Sequence, residues 1–258
     1  ISDIYAMGAT PDMALAILGW PIDKLGSEMA GKVLAGAREA CKKAGIPLAG
    51  GHSIDIPQPI FGLSVTGRVR IGELKKNNGA RPGDLLYLTK PLGIGVIATA
   101  MKKELANDND TQWALDTMKR LNFEGAELVR ISGINAMTDI TGFGLAGHLH
   151  EMMKASDCSA RIDFDKIPKY DYARLKELYS LQCMPTGTTK NYLAYHKDIS
   201  KVNGEELFIL FDPQTSGGLL ISVDPKNKLE TENILQKYGS VNCIGTVTKR
   251  NEILINLI

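Results

Sequence analysis

The sequence has no excess of either charge, no long uncharged run and no paired cysteines. Its 30 Lys and Arg face 29 Asp and Glu, so 30 − 29 leaves a net charge of +1. That balance excludes a nucleic-acid or anionic-membrane binder that works through bulk charge. No stretch free of charged residues exceeds twelve residues, a length reached at 56–67, where a spanning helix needs about 18 or more. The opening ISDIYAMGAT has neither a basic region nor a long apolar one, so no secretory leader is read there. The cysteines, Cys41, Cys158, Cys183 and Cys243, form no CxxC pair. A zinc finger, a thioredoxin-like motif and a disulfide framework are therefore not expected. Buried reduced thiols in a cytoplasmic protein fit the pattern better. Internal repeats and low-complexity tracts are also lacking.

What remains is ordinary globular material, 44% hydrophobic and 23% charged over 258 residues. At roughly 150 residues per domain this makes one large domain or two modest ones. The polar segment GELKKNNGARPG (72–83) reads as the connection between two blocks. In the first block, MALAILGW (13–20) reads as a buried strand and 27–45 as a helix with Ser27 as N-cap and Gly45 just past its end. AGGHSIDIP (49–57) reads as a Gly-rich turn and IFGLSVTGRVR (60–70) as a strand. In the second block, strands are expected at 85–89, 160–164, 206–212, 219–223, 243–247 and 252–258. Helices are expected at 94–105, 111–131 (broken near Asn122), 145–156 and 226–238, with AMTDITGFG (136–144) a turn. The mixture predicts an α+β fold with α/β-like layers, mixed sheets covered by helices.

Five segments could carry chemistry. Gly93-Ile94-Gly95-Val96-Ile97-Ala98 matches G-x-G-x-x-A after a strand, but the acidic strand end expected about twenty residues on is missing. Close helix–strand packing is the stronger reading. Gly50-Gly51-His52-Ser53 could bring backbone amides and a hydroxyl to a phosphate or ribose, although a turn explains the same letters. Asp139 in TDITGFG could ligate Mg²⁺ or cap the following helix. Asp3 in SDIYAMG could be a ligand, a cap or a solvated end. DPQTSGG (212–218) reads as a tight turn between two strands, and Ser216 has no partners for nucleophile chemistry. His148 and Glu151 share a helix face and read as a surface pair.

Together the segments say more. ISDIYAMGA, AILGWPI, LAGGHSIDIPQPIFGLSVTGRV, LTKPLGIGV, AMTDITGFGLAGHLHEM and DPQTSGGLL occur in this order. The chain resembles the selenophosphate synthetase (selenide, water dikinase) family of the aminoimidazole-ribonucleotide-synthetase-like superfamily, from residue 1 to its C-terminus. The resemblance implies the superfamily's two-domain synthetase fold, with 1–76 the remainder of an ATP-binding and dimerisation domain and 77–258 a C-terminal α+β domain. It implies a homodimeric cytoplasmic enzyme, with no nucleic-acid or membrane partner, that makes selenophosphate, AMP and phosphate from selenide, ATP and water with Mg²⁺. Carried over by position, Asp3 and Asp139 would bind Mg²⁺, and Asp3, Gly51, His52 and Ser53 would contact the nucleotide. The family's reactive Cys (or selenocysteine), a Lys and a further metal-binding Asp belong to a segment upstream of SDIYAMG. No residue here matches them, so the N-terminal domain is expected to be incomplete and this portion alone inactive. Two other readings stay open. One is a different ATP-using member of the superfamily, such as an aminoimidazole ribonucleotide synthetase, a thiamine-phosphate kinase or a hydrogenase-maturation enzyme. The other is a non-catalytic dimerising scaffold.

Overall fold

The computed structural model describes residues 1–239 and 241–258. Helix α1 (Ser2–Ala6) leads into β1 (Thr10–Trp20), α2 (Ser27–Lys43), β2 (Leu48–Asp55) and β3 (Ile60–Arg68). The three strands form a sheet in the order β2-β1-β3, with β2 parallel and β3 antiparallel to β1. Residues of β1 alternate as a strand with one covered face must. Ala14, Ala16 and Leu18 are buried, while Leu15 and Ile17 are 40% and 50% exposed. Helix α2 covers the buried face, where Cys41 packs with Ala14 and Ile46. Its N-cap is Gly26 and no side chain caps it, so Ser27 does not hold the capping role expected of it. Gly45 follows the helix with φ +72°, as a glycine there should.

The second sheet has six strands: β4 (Leu85–Leu88), β5 (Ile134–Asp139), β6 (Cys158–Ile162), β7 (Leu219–Val223), β8 (Cys243–Lys249) and β9 (Ile255–Leu257). Their order is β5-β7-β4-β8-β6-β9, antiparallel except for the β6–β9 pair. Helices α3 (Ile94–Lys102), α4 (Asp108–Lys119), α5 (Glu124–Leu128), α6 (Gly144–Ala155), α7 (Tyr172–Ser180), α8 (Thr186–Tyr195), α9 (Gly204–Leu210) and α10 (Lys228–Lys237) complete it. Leu86 and Leu88 of β4 enter the large core with α3, α6, α7 and α9, and Tyr87 enters a second core with Leu128 and Leu235. Ala6 of α1 belongs to that second core, so the first unit is docked onto the second sheet. The connection past β3 is fastened as well. Lys75 Nζ donates to the carbonyls of Ile131 and Ile134, and the Met137 amide donates to Lys76 O.

Four expectations are corrected. Residues 204–210 form helix α9, not a strand, because Asn203 and Glu206 close a capping box. Residues 48–55 form strand β2 rather than a turn, since β1 supplies a parallel partner along its length. Residues 136–139 belong to β5, paired with β7. His148 is buried, not a surface residue: its Nε2 accepts from the Thr141 amide at 3.1 Å, and its Nδ1 lies 3.7 Å from Glu151.

The segment at 93–98 is closed to phosphate. The Gly95 amide donates to Asp212 Oδ2 at 2.9 Å, and the Ile94 amide to Gln214 Oε1 at 3.3 Å. A Cβ on Gly95 would sit 2.3 Å from Asp212 Oδ1. Small residues serve close packing here. All four cysteines are free, and Cys41, Cys158 and Cys183 are buried. No helix among the described residues is long and apolar enough to cross a membrane.

Candidate active site

Asp3 lies in α1 and Asp139 ends β5, and folding brings both to the walls of the same hollows. The larger is a cavity of about 700 Å³ between the two units. Gly36, Glu39, Ala40 and Lys43 of α2, with Phe61 and Leu63 of β3, form one side. Met118, Lys119, Leu121 and Asn122 form another, and Thr141, Thr215 and Ser216 border the carboxylates. The second hollow, about 400 Å³, lies behind Asp3 and Asp139 against Lys75, Lys76, Asn77 and Asn78.

Burial distinguishes the two carboxylates. Asp3 is exposed. Asp139 is 8% exposed and its Oδ2 has no hydrogen-bond partner. A buried carboxylate oxygen left unpaired is costly and calls for a cation or donor. Asp139 makes no side-chain bond to the amides of α6, so the helix-cap reading of this residue finds no support. Thr141 is held instead by His148. Burial lowers the pKa of that imidazole below its ordinary value, so it stays neutral and its Nε2 can accept.

Behind the cavity floor sits Lys90, just past the end of β4 and 1% exposed. Its Nζ donates to the carbonyls of Arg120 at 2.6 Å and Ser216 at 2.7 Å. Burial lowers its pKa to about 8, with Arg120 adding to the effect and Glu124 and Asp139 opposing it. Asn122 Nδ2 donates to Ser2 Oγ and to Gly217 O, both at 2.9 Å, tying α1 to the 215–218 loop.

Gly51, His52 and Ser53 are placed elsewhere. They lie on exposed β2 and line neither hollow. Gly51 has a packing reason for its identity, since a Cβ there would meet Ala16 O at 2.0 Å. His52 stands opposite Ile17, on the sheet face that α2 does not cover. The sequence assigned no site contact to Lys90, Asn122 or Ser216. The break near Asn122 and the TSGG run were the available signals, but neither names a contact.

Among the described residues no group of three or more His, Cys, Asp and Glu could enclose a metal. Two carboxylates with an orphaned oxygen suit a hard cation that keeps water or phosphate oxygens as its remaining ligands, which is how Mg²⁺ is commonly held.

Comparison with known proteins identifies the family. Residues 1–69 match the family described as AIR synthase related protein, N-terminal domain, and residues 81–256 its C-terminal domain. Curated relatives named selenide, water dikinase include one from Shewanella sp. (strain W3-18-1), 48% identical over 98% of this chain and 73% of its own length. Another, from Shewanella baltica (strain OS155), is 49% identical over 96% of this chain and 70% of its own. Among solved structures, a thiamine-monophosphate kinase from Stenotrophomonas maltophilia superposes with a TM-score of 0.75 at 15% identity, covering 99% of this chain and 74% of that one. The hydrogenase maturation protein HypE in complex with ATP gives 0.75 at 16%, covering 96% and 68%. The distant structures share the fold, and the close sequence relatives narrow the branch: the chain belongs to the AIR synthase related family, among the selenide, water dikinases.

Proposed function

We propose that the chain acts in ATP-dependent phosphoryl transfer to selenide, giving selenophosphate, AMP and phosphate. The carrying observation is that Asp3 and Asp139, far apart in sequence, wall the same cavity, with Asp139 Oδ2 buried and unpaired. The name shared by the close relatives and the ATP-bound structural neighbour support the same reading. Asp3 and Asp139 are the residues that would hold Mg²⁺, which when bound neutralises phosphate charge. The chain's own contribution is positioning. Asn122 holds α1, and with it Asp3, against the 215–218 loop, while His148 fixes Thr141 beside Asp139. Lys119 adds positive charge to the walls, where Lys43 is paired with Glu39 at 3.0 Å. Phosphoryl transfer is catalysed mainly by such positioning and electrostatics.

The chain divides in this proposal into units 1–76 and 77–258. It works as a homodimer through the uncovered sheet face, where Leu15, Ile17, Ile54 and Ile60 are exposed. The nucleotide contact expected of Gly51, His52 and Ser53 is compatible with the cavity only if a second copy brings its β2 to it. Phosphorus NMR of the full-length protein with MgATP and selenide tests the function. Selenophosphate, AMP and phosphate in equal amounts are expected. Selenide-independent turnover to ADP would overturn it in favour of another ATP-using activity of the superfamily.

A further inference from the structure

We propose that the loop Thr215-Ser216-Gly217-Gly218 is a backbone anion site, whose amides take the tetrahedral oxyanion of a phosphate group beside Asp3 and Asp139. Its carbonyls are engaged one after another: Ser216 O accepts from Lys90 Nζ, Gly217 O from Asn122 Nδ2 and Gly218 O from the Ile140 amide. Its amides are not. Among the described residues none of the N–H groups of 215–218 has an acceptor, whereas the flanking Gln214 and Leu219 amides donate to Thr141 O and Thr89 Oγ1. Gly217 and Gly218 are buried, and buried amides without acceptors are rare in folded proteins. Four successive bare amides bounded by satisfied ones form an electropositive concavity of the kind that holds phosphate.

Ser216 adopts φ +53°, the left-handed conformation that anion-binding nests combine with a right-handed neighbour. The glycines are accounted for separately, since a Cβ on Gly217 would meet Ile140 O at 2.3 Å and one on Gly218 would meet Lys90 N at 2.3 Å. Tight packing explains why they are glycines but leaves the bare amides unexplained.

Independent observations point to a ligand. Thr215 and Ser216 line the cavity that contains Asp139, more than nine-tenths buried with an unpaired Oδ2, and Asn122, 1% exposed with an unpaired Oδ1. Lys90 stands behind the loop with a buried positive charge, and Lys119 stands in the walls beside the Lys43–Glu39 pair. An anion in the nest and a cation on the carboxylates would each offset the charge of the other.

The proposal rests on reading the cavity as a phosphoryl-transfer site, and the test separates the two. Backbone amide resonances of the full chain are followed by NMR while inorganic phosphate, and separately a non-hydrolysable ATP analogue with Mg²⁺, are titrated in. Downfield shifts at 216–218 with either ligand support the nest. A response to phosphate alone as well as to the analogue assigns a free oxyanion site, and a response to the analogue alone assigns a phosphate of the nucleotide. Thr215→Glu, at an exposed position, should weaken that response about tenfold by placing a like charge at the rim, while Thr215→Ser leaves it unchanged. If the analogue binds with shifts around Asp139 while 215–218 stay still, the nest is overturned and the function stands. If the analogue does not bind at all, the proposed function fails, and the phosphate titration alone decides the nest.

Discussion

The two units solve the burial problem differently. The six-stranded sheet is covered on both faces, by a large core that includes Leu86, Leu88 and Phe208 and a smaller one around Tyr87 and Leu219. The three-stranded sheet has one covered face, a small cluster of Ala14, Cys41 and Ile46, and an opposite face that exposes Leu15, Ile17, Ile54 and Ile60. Apolar residues alternating onto an open sheet face are unusual unless something covers them. The second unit therefore buries most of the apolar core, while the first leaves an apolar face open and forms one wall of the cavity. Asp3 sits on the short helix that joins them.

Core truncation should give the largest contrast. Phe208 is fully buried and stacked on Tyr179 at 4.6 Å between ring centroids. Phe208→Ala should cost about 3–5 kcal/mol in urea denaturation. Ile22→Ala, 55% exposed in the first unit and outside its open face, should cost no more than about 0.5 kcal/mol. Equal losses would erase the contrast. Next, Ile17→Asp should weaken self-association at least about tenfold by burying a charge in the proposed interface, read by analytical ultracentrifugation. An unchanged oligomeric state would remove that face from the dimer.

A third, pH-dependent effect concerns a buried acid in the second unit. Burial raises the pKa of the Asp212 carboxyl to about 8, although Gln214 and the amides of Gly95 and Val96 oppose the shift. A folded value above the ordinary carboxylate value means that the fold prefers the protonated acid. Its stabilising contribution is complete below about pH 4 and is lost as the pH rises through 8. Asp212→Asn, which cannot ionise, should match the native protein near pH 4. It should then gain on it progressively as the pH rises from about 4 through about 8. Parallel pH profiles of stability would contradict this. The smallest effect belongs to the cap of α9: Asn203→Ala should cost about 1 kcal/mol.

Much of the fold was legible because its signals are local. The helix at 27–43 and the strands at 13–20, 85–88 and 219–223 show in hydrophobic periodicity and β-branched runs, which reflect burial directly. The failures are also physical. ELFIL reads as a strand by composition, but the Asn203–Glu206 box upstream commits it to helix. GGHSID reads as a turn because its glycines dominate, yet Gly51 is there to let β1 approach. The motif series singled out Asp3 and Asp139, which the fold brings to one cavity. Lys90 and Asn122 were not, because their roles are hydrogen bonds to carbonyls distant in sequence, Ser216 and Gly217, and no spacing rule encodes those.

The central claim is that Asp3 and Asp139, one from each side of the junction, jointly hold a magnesium nucleotide. Titration calorimetry of a non-hydrolysable ATP analogue into the native chain, Asp3→Asn and Asp139→Asn, with and without Mg²⁺, tests it most directly. The account predicts Mg²⁺-dependent binding to the native chain, weakened at least about tenfold in each variant, with urea midpoints unchanged for Asp3→Asn and no lower for Asp139→Asn. Nucleotide affinity that is the same in all three folded proteins would contradict it.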